Sequence, residues 1–109
     1  MKLLKCIIRA EKLSEVVSTL AEFVPGMTVS EVRGYGHQKG HSTVYRGVEY
    51  AVELLPKLMI EIVIDDTNVD DVISLVTETA RTGNIGDGRI FVVPVLESYH
   101  IRTGFMDRD

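Results

Sequence analysis

Residues 6–23 read CIIRAEKLSEVVSTLAEF, and residues 62–79 read IVIDDTNVDDVISLVTET. The apolar positions of the two stretches coincide at an offset of 56 residues, so that Ile8 matches Ile64. In each stretch a short β-branched run leads into apolar residues at positions i, i+3, i+4 and i+7. This change of period predicts a strand followed by an amphipathic helix, and its recurrence predicts two similar halves.

The expected helices cover about residues 12–23 and 67–81, with Thr67 and Asn68 as N-caps of the second helix. A glycine-containing turn and a further apolar run follow each helix, which predicts a second strand in each half. The resulting order, βαββαβ, is that of a ferredoxin-like α+β fold. Its two helices pack on one face of an antiparallel sheet.

The predicted strands have apolar residues on both sides, as Ile7 beside Ile8 illustrates. A strand that is apolar on both sides is usually buried on both. A chain of 109 residues has no third layer to supply that cover. Self-association is therefore the expected cover, and an open sheet face made of β-favouring residues is the alternative.

Composition narrows the classes of function. The chain has 12 Lys and Arg against 16 Asp and Glu, a balance that disfavours non-specific nucleic-acid binding. The single cysteine, Cys6, forms no intrachain disulfide and fits the reducing cytoplasm. The longest apolar run, residues 90–96, is too short for a membrane span. A domain of this size favours a ligand site in a surface groove or between subunits.

Two segments outside the repeat have the composition of binding elements. Residues 34–56 form a long connection rich in aromatic and charged side chains, which favours a recognition loop. Residues 82–89 read TGNIGDGR, in which glycine backbone and a terminal Arg could hold a phosphate. An ordinary turn is the alternative for this second segment. His100 and Arg102 alternate along an expected short C-terminal strand, either as part of a cationic cluster with Arg89 or as a solvated edge.

Catalytic and metal chemistry have little support in the sequence. His37 and His41 are four residues apart, but no further ligands complete a zinc site. No arrangement of Ser, His and Asp or of Cys and His is visible, so we expect no enzymatic activity. A small enzyme or metal-binding protein that uses these two histidines is the alternative from another class.

Five motifs occur in a fixed order: GMTV at 26–29, GHQKGH at 36–41, YRGVEY at 45–50, ARTGNIGDGRIF at 80–91 and IRTG at 101–104. Together they resemble the PII nitrogen-regulatory signal-transduction family over about residues 1–104. The resemblance implies one domain over 1–109 that forms a ferredoxin-like homotrimer with nucleotide sites between subunits. It also implies a long T-loop at about 36–54, a B-loop at about 81–88 and a C-terminal loop at about 99–109.

The function implied by the resemblance is regulation of nitrogen metabolism. Such a protein binds ATP or ADP and, with MgATP, the effector 2-oxoglutarate. It acts through the T-loop on an ammonium transporter, a modifying enzyme or a metabolic enzyme. It is cytoplasmic, has no membrane span and does not bind nucleic acid directly.

The resemblance also assigns residues. The implied nucleotide contacts are Thr28, Gly36, His37, Gln38, Glu61, Gly86, Asp87, Gly88, Arg89, His100 and Arg102. Thr28 and Glu61 would lie near the adenosine, whereas His100 and Arg102 would reach the phosphates from the neighbouring subunit. The implied 2-oxoglutarate contacts are Gln38, Lys39, Gly40 and Lys57, and Gln38 would also ligate Mg²⁺. Tyr50 matches a tyrosine that is uridylylated or adenylylated in some members.

Three of these positions depart from the family pattern. His37 and His100 stand where arginine is usual, and Arg89 stands where lysine is usual. Arginine binds phosphate with a bidentate fork that histidine lacks. The alternative reading is therefore a divergent PII-like adenine-nucleotide sensor, with weakened or pH-dependent nucleotide binding and no response to 2-oxoglutarate.

Overall fold

The computed structural model describes residues 1–35 and 54–107, together with the backbone of residues 43–45 and 48–50. Its strands are β1 (Lys2–Arg9), β2 (Thr28–Tyr35), β3 (Thr43–Tyr45), β4 (Val48–Tyr50), β5 (Leu54–Ile64) and β6 (Gly88–Pro94). Its α-helices are α1 (Leu13–Leu20) and α2 (Val69–Ala80). A 3₁₀ turn precedes each helix, at Ala10–Lys12 and Asp66–Asn68.

Four strands form one antiparallel sheet in the order β2-β5-β1-β6. In the centre of the sheet, Cys6 of β1 lies opposite both Ile60 of β5 and Ile90 of β6. The order and the helix positions are those of the ferredoxin-like α+β fold, so the predicted fold class is confirmed. Strands β3 and β4, which lie within the predicted T-loop, pair separately with Thr43 opposite Tyr50.

The sequence repeat is visible in the structure down to the short turns. The 3₁₀ turns at 10–12 and 66–68 are separated by the same 56-residue offset as the apolar positions. The starts of α1 and α2, Leu13 and Val69, keep that spacing as well. The two halves therefore share the whole sequence of strand, 3₁₀ turn and helix.

Asn68 is the N-cap residue of α2, as the sequence predicts, whereas Thr67 is not, and the expected side-chain cap bond is missing. Neither Thr67 nor Asn68 makes a side-chain cap bond to the helix. The backbone N–H of Asn68 donates instead to the carbonyl of Asp65 at 3.0 Å, and the Thr67 hydroxyl donates to the Asp65 carboxylate at 3.2 Å. The 3₁₀ turn thus bonds the backbone N–H groups of Asn68 and Val69, and the helix begins two residues later than expected.

The core lies between the helices and one face of the sheet. Alternate residues of the two central strands are fully or almost fully buried, as are the inward residues of both helices. These are Leu4, Cys6, Ile8, Val16, Leu20, Ile60, Ile62, Ile64, Val72 and Val76. Each large aliphatic side chain buried in this way contributes about 1.5–3 kcal/mol, so this layer provides most of the drive to fold.

The opposite sheet face is also apolar, as the sequence predicted, but it is only partly covered within one subunit. Leu3, Val63 and Val93 form one cross-strand row on this face. Val63 is 40% and Val93 is 38% exposed, and Phe91 nearby is 47% exposed. An exposed apolar row of this kind is typical of an interaction surface, so the predicted self-association stays a prediction.

Candidate functional site

The connection between α2 and β6 is a tight glycine turn. Gly83, Gly86 and Gly88 all have positive φ, at 90°, 100° and 116°. A Cβ atom at Gly88 would lie only 1.8 Å from the carbonyl oxygen of Ile7 in the adjacent strand. Glycine is therefore required at Gly88 both by its backbone angle and by the closeness of β1.

The side chain of Asp87 is hydrogen-bonded to the first residues of this turn. Its carboxylate accepts the backbone N–H groups of Thr82, at 2.8 Å, and of Gly83, at 2.9 Å, together with the Thr82 hydroxyl. Burial alone would raise the pKa of Asp87, but these donors and Arg9 hold its pKa well below the usual range for aspartate. The carboxylate is thus ionised at neutral pH and fixed inside the turn.

Two cations from the sheet hold the same turn. Arg9 Nε donates to Asp87 Oδ1 at 3.0 Å, and Arg9 Nη2 donates to the carbonyl oxygen of Ile85 at 2.9 Å. Lys57, which lies opposite Arg9 in the β1–β5 register, donates from Nζ to the carbonyl oxygen of Gly86 at 2.7 Å. Burial, and next the charge of Arg9, lower the pKa of Lys57.

A surface groove of about 580 Å³ opens beside the turn. Lys57, Gly86, Asp87, Gly88 and Arg89 line it, so the structure brings together five residues that the family resemblance assigns to phosphate or effector binding. The rest of the lining is largely apolar and comes from the four strands of the sheet and the turn: Ile7, Gly34, Tyr35, Leu55, Asn84, Ile85 and Phe91. A lining that combines cations with apolar side chains suits a ligand that has both an anionic and an apolar part.

Arg9 is the residue that the sequence reasoning missed. Its position at a strand end, 78 residues before Asp87, gives no local signal. The strand order of the predicted fold could have indicated Arg9, because a ferredoxin-like sheet pairs β1 with both β5 and β6. Arg9 then lies at the same sheet end as Lys57 and Gly88.

Thr28 and Glu61 lie opposite each other on β2 and β5 and line a second groove of about 620 Å³. Leu3, Val63 and the Pro25–Gly26–Met27 segment complete that groove. Among the described residues, none lines both grooves. The residues assigned to adenosine and those assigned to phosphate are thus placed in different grooves of one subunit.

The predicted short strand around His100 and Arg102 is wrong. Residues 101–103 form a turn, closed by an isolated bridge between Tyr99 and Met106. The backbone N–H of Gly104, at a φ of 73°, donates to the carbonyl of His100 at 2.7 Å. A positive φ reverses the chain here, so the alternation of His100 and Arg102 does not produce a strand.

Asp107 holds the tail in this form. His100 Nε2 lies 2.5 Å from Asp107 Oδ1, and the Ser98 hydroxyl donates to the same carboxylate. His100 and Arg102 are both exposed, and neither lines the groove that contains Arg89. Within one subunit, therefore, these two side chains do not join Arg89 around the first groove.

Several assigned residues lie outside the described part of the chain: Gly36, His37, Gln38, Lys39, Gly40 and His41. The side chain of Tyr50 also lies outside it. Among the residues that the structure does describe, no group of three or more His, Cys, Asp or Glu side chains could hold a metal ion. Within the same residues, no helix is long and apolar enough to cross a membrane.

Comparison with known proteins gives a consistent result along the chain. The family model described as Nitrogen regulatory protein P-II matches residues 1–105. The chain is 50% identical to nitrogen regulatory protein P-II of Pasteurella multocida over 110 aligned positions, covering 100% of this chain and 98% of the relative. It is 54% identical to nitrogen regulatory protein P-II of Nostoc punctiforme over 105 positions, which cover 95% of this chain and 94% of the relative.

A third relative, nitrogen regulatory protein P-II 1 of Escherichia coli strain K12, is 51% identical over 108 positions, covering 98% of this chain and 96% of the relative. Both the family match and the relatives extend over the glycine turn and the groove beside it. They confirm the resemblance that the motifs indicated. The chain belongs to the nitrogen regulatory protein P-II family.

Proposed function

We propose that this protein is a homotrimeric sensor that binds ATP or ADP between its subunits and, together with MgATP, binds 2-oxoglutarate. Its family supports the broader part of this proposal. P-II proteins are regulatory signal transducers of nitrogen metabolism, not enzymes, that act on partner proteins and bind adenine nucleotides. The nucleotide and trimer assignments are supported by the geometry of the grooves, whereas the effector and partner assignments follow from the family resemblance.

The observation that carries the proposal is the glycine turn and its cations. Gly86 and Gly88 keep side chains away from the turn, and Arg89 and Lys57 add positive charge to the lining of the groove. Phosphate is commonly bound by glycine backbone with an adjacent cation. The groove beside the turn consequently suits a polyphosphate, whereas the residues assigned to adenosine line the other groove.

A trimer would complete the site. The Thr28–Glu61 groove and the groove of the glycine turn are separate on one subunit, so a shared site requires a second copy to supply the missing half. Such a head-to-tail contact closes into a ring of three and at the same time covers the apolar row of Leu3, Val63 and Val93. Light scattering coupled to gel filtration should give three times the 12.2 kDa chain mass. A monomer mass would contradict a shared site.

The effector and partner assignments follow the same family. We propose residues 1–109 as one domain, with Lys57, Gln38, Lys39 and Gly40 binding 2-oxoglutarate and Gln38 ligating Mg²⁺. The loop at about 36–54 would contact an ammonium transporter, a modifying enzyme or a metabolic enzyme. Modification of Tyr50 and a cytoplasmic location belong to the same proposal, the latter supported by the unpaired thiol of Cys6.

Titration calorimetry tests the ligand assignments. ATP should bind the wild-type protein, and 2-oxoglutarate should bind only after MgATP is present. An Arg89→Gln variant should bind ATP more weakly, whereas Arg33→Gln, on exposed β2 and outside both grooves, should not change ATP binding. Binding of 2-oxoglutarate with equal affinity in the absence of MgATP would contradict the proposed effector site.

A second candidate function is favoured by the tail. Because His100 already pairs with Asp107, it has to leave this carboxylate before it can contact a phosphate of the neighbouring subunit. That competition favours weakened nucleotide binding, which is the first property of the divergent sensor. The absence of a response to 2-oxoglutarate is the second property of that candidate. The same calorimetry separates the two candidates. The divergent sensor should bind ATP with low affinity and should not bind 2-oxoglutarate, with or without MgATP.

A further inference from the structure

The proposed phosphate site contains a negative charge. Asp87 lies in the middle of the glycine turn, lines the groove and is 23% exposed. Its carboxylate is fixed there by the backbone N–H groups of Thr82 and Gly83. An ionised carboxylate at this place repels an incoming polyphosphate unless another group neutralises it.

Arg9 has the position and geometry of that neutralising group. Its side chain is only 10% exposed, and its guanidinium forms a fork with Nε on Asp87 and Nη2 on the carbonyl of Ile85. A second carboxylate, that of Glu11, lies at the edge of the fork, 4.0 Å from Nη1. Arg9 is not among the residues that line the groove, so it reaches the turn from the side of the sheet.

We propose that Arg9 is a positioning residue for phosphate binding, which neutralises Asp87 and keeps the carbonyl of Ile85 directed toward the sheet. The inference rests on the proposed nucleotide site and names a residue that acts on it through the turn. In this arrangement the anion of Asp87 closes the turn without opposing the ligand. The cations on the groove wall, Lys57 and Arg89, then act on the phosphates without an uncompensated negative charge beside them.

Neutralisation makes a different prediction from simple bracing of the turn. If Arg9 only braces the turn, removing Asp87 as well as Arg9 weakens the turn further and lowers ATP affinity further. If Arg9 neutralises Asp87, the loss caused by Arg9→Gln is partly recovered when Asp87 is replaced by neutral asparagine. Asparagine keeps an acceptor for the N–H groups of Thr82 and Gly83, so the turn keeps part of its internal bonding.

The experiment compares ATP affinity by calorimetry for the wild type, R9Q, R9K and the double variant R9Q/D87N, with R33Q as the surface control. We expect R9Q to bind ATP about tenfold more weakly, because one unit charge close to the phosphates is left uncompensated. R9K loses the fork but keeps the positive charge that neutralises Asp87, so its ATP affinity should stay within about threefold of wild type. R9Q/D87N should bind more tightly than R9Q, and R33Q should match wild type.

The outcomes separate this inference from the proposed function. If the wild type fails to bind ATP, the nucleotide site itself is refuted. If the wild type binds and R9Q binds equally well, or R9Q/D87N is weaker than R9Q, the role of Arg9 is refuted while the nucleotide site stands. Amide NMR signals of Thr82 and Gly83 check that the turn persists in R9Q. If R9Q does not fold, a tenfold loss in R9K overturns the proposal and wild-type-like binding of R9K supports it.

Discussion

Gly88 joins the glycine turn to the sheet, and its replacement by alanine provides the sharpest test of the structure. Its φ of 116° lies outside the region that side chains favour. An added Cβ would also meet three backbone atoms of β1, the closest being the carbonyl oxygen of Ile7 at 1.8 Å. No side-chain rotation relieves this overlap, because the atoms involved belong to the backbone.

The cost has two parts that the chain allows to be separated. A left-handed backbone angle costs a residue with a Cβ about 1–2 kcal/mol. Relieving the overlap requires that β6 move away from β1 at the Gly88–Ile8 pair, which loses one or two ladder hydrogen bonds at about 1 kcal/mol each. Gly88→Ala should therefore lower the free energy of unfolding by about 2–4 kcal/mol, out of about 5–15 kcal/mol for a typical domain.

Two further glycines serve as controls. Gly83 has a φ of 90° but no atom within 4 Å of an added Cβ, so Gly83→Ala isolates the backbone cost of about 1–2 kcal/mol. At Gly26 nothing lies within 4 Å and φ is not positive, so Gly26→Ala should be neutral or slightly stabilising. Urea unfolding at one protein concentration measures all three variants, since assembly would make stability depend on concentration.

The free energies of unfolding of the three variants show whether the close approach of the strands constrains the turn. We expect Gly88→Ala to be less stable than Gly83→Ala by about 1–2 kcal/mol, the cost of the lost ladder hydrogen bonds. A difference below about 0.5 kcal/mol would show that the close approach of β6 to β1 does not constrain the turn. If Gly26→Ala were as destabilising as Gly88→Ala, the loss would reflect glycine replacement in general.

Three further predictions concern single ionisable groups. Cys6 is fully buried, and burial raises the pKa of its thiol to about 11. A thiol reagent at pH 8 should therefore label Cys6 only after unfolding. Rapid labelling of the native protein would contradict its core position. Because hydrogen bonds lower the pKa of folded Asp87, its stabilising contribution is present above the unfolded value near 4 and is lost as pH falls. The stability difference between wild type and Asp87→Asn should accordingly shrink in urea titrations from pH 5 toward pH 2, and a constant difference would refute this linkage. Asp107→Asn removes the carboxylate that pairs with His100 and should raise ATP affinity about two- to fivefold, whereas unchanged affinity would show that the pair does not compete with phosphate.

Much of the fold could be predicted from the repeat alone. The coincidence of Ile8 with Ile64 placed both strand–helix units, and the structure extends the same spacing to the 3₁₀ turns. The helix starts were less accurate, because the bonding around Asp65 depends on local backbone geometry that residue preferences do not specify. Capping residues can satisfy the first N–H groups in several ways, and the sequence does not distinguish among them.

The candidate site was predictable only where its residues are close together in the sequence. The glycines and Arg89 form one continuous motif, whereas Arg9 enters the site through strand pairing across 78 residues. In the tail, two alternating residues were too few to establish a strand. The positive φ of Gly104 and the contacts of Asp107 determine the turn instead.

Strand register is the property that links the fold to the site. Arg9, Lys57 and Arg89 lie on the sheet face opposite the helices, because β1 pairs Arg9 with Lys57 and Ile7 with Arg89. A slip of β1 by one residue would turn Arg9 toward the helices and Ile8 away from the core. The burial of Ile8 therefore opposes the same slip that would remove Arg9 from Asp87. The chain has a net charge of −4, and the packing of its core fixes the positions of the three cations Arg9, Lys57 and Arg89 at this site.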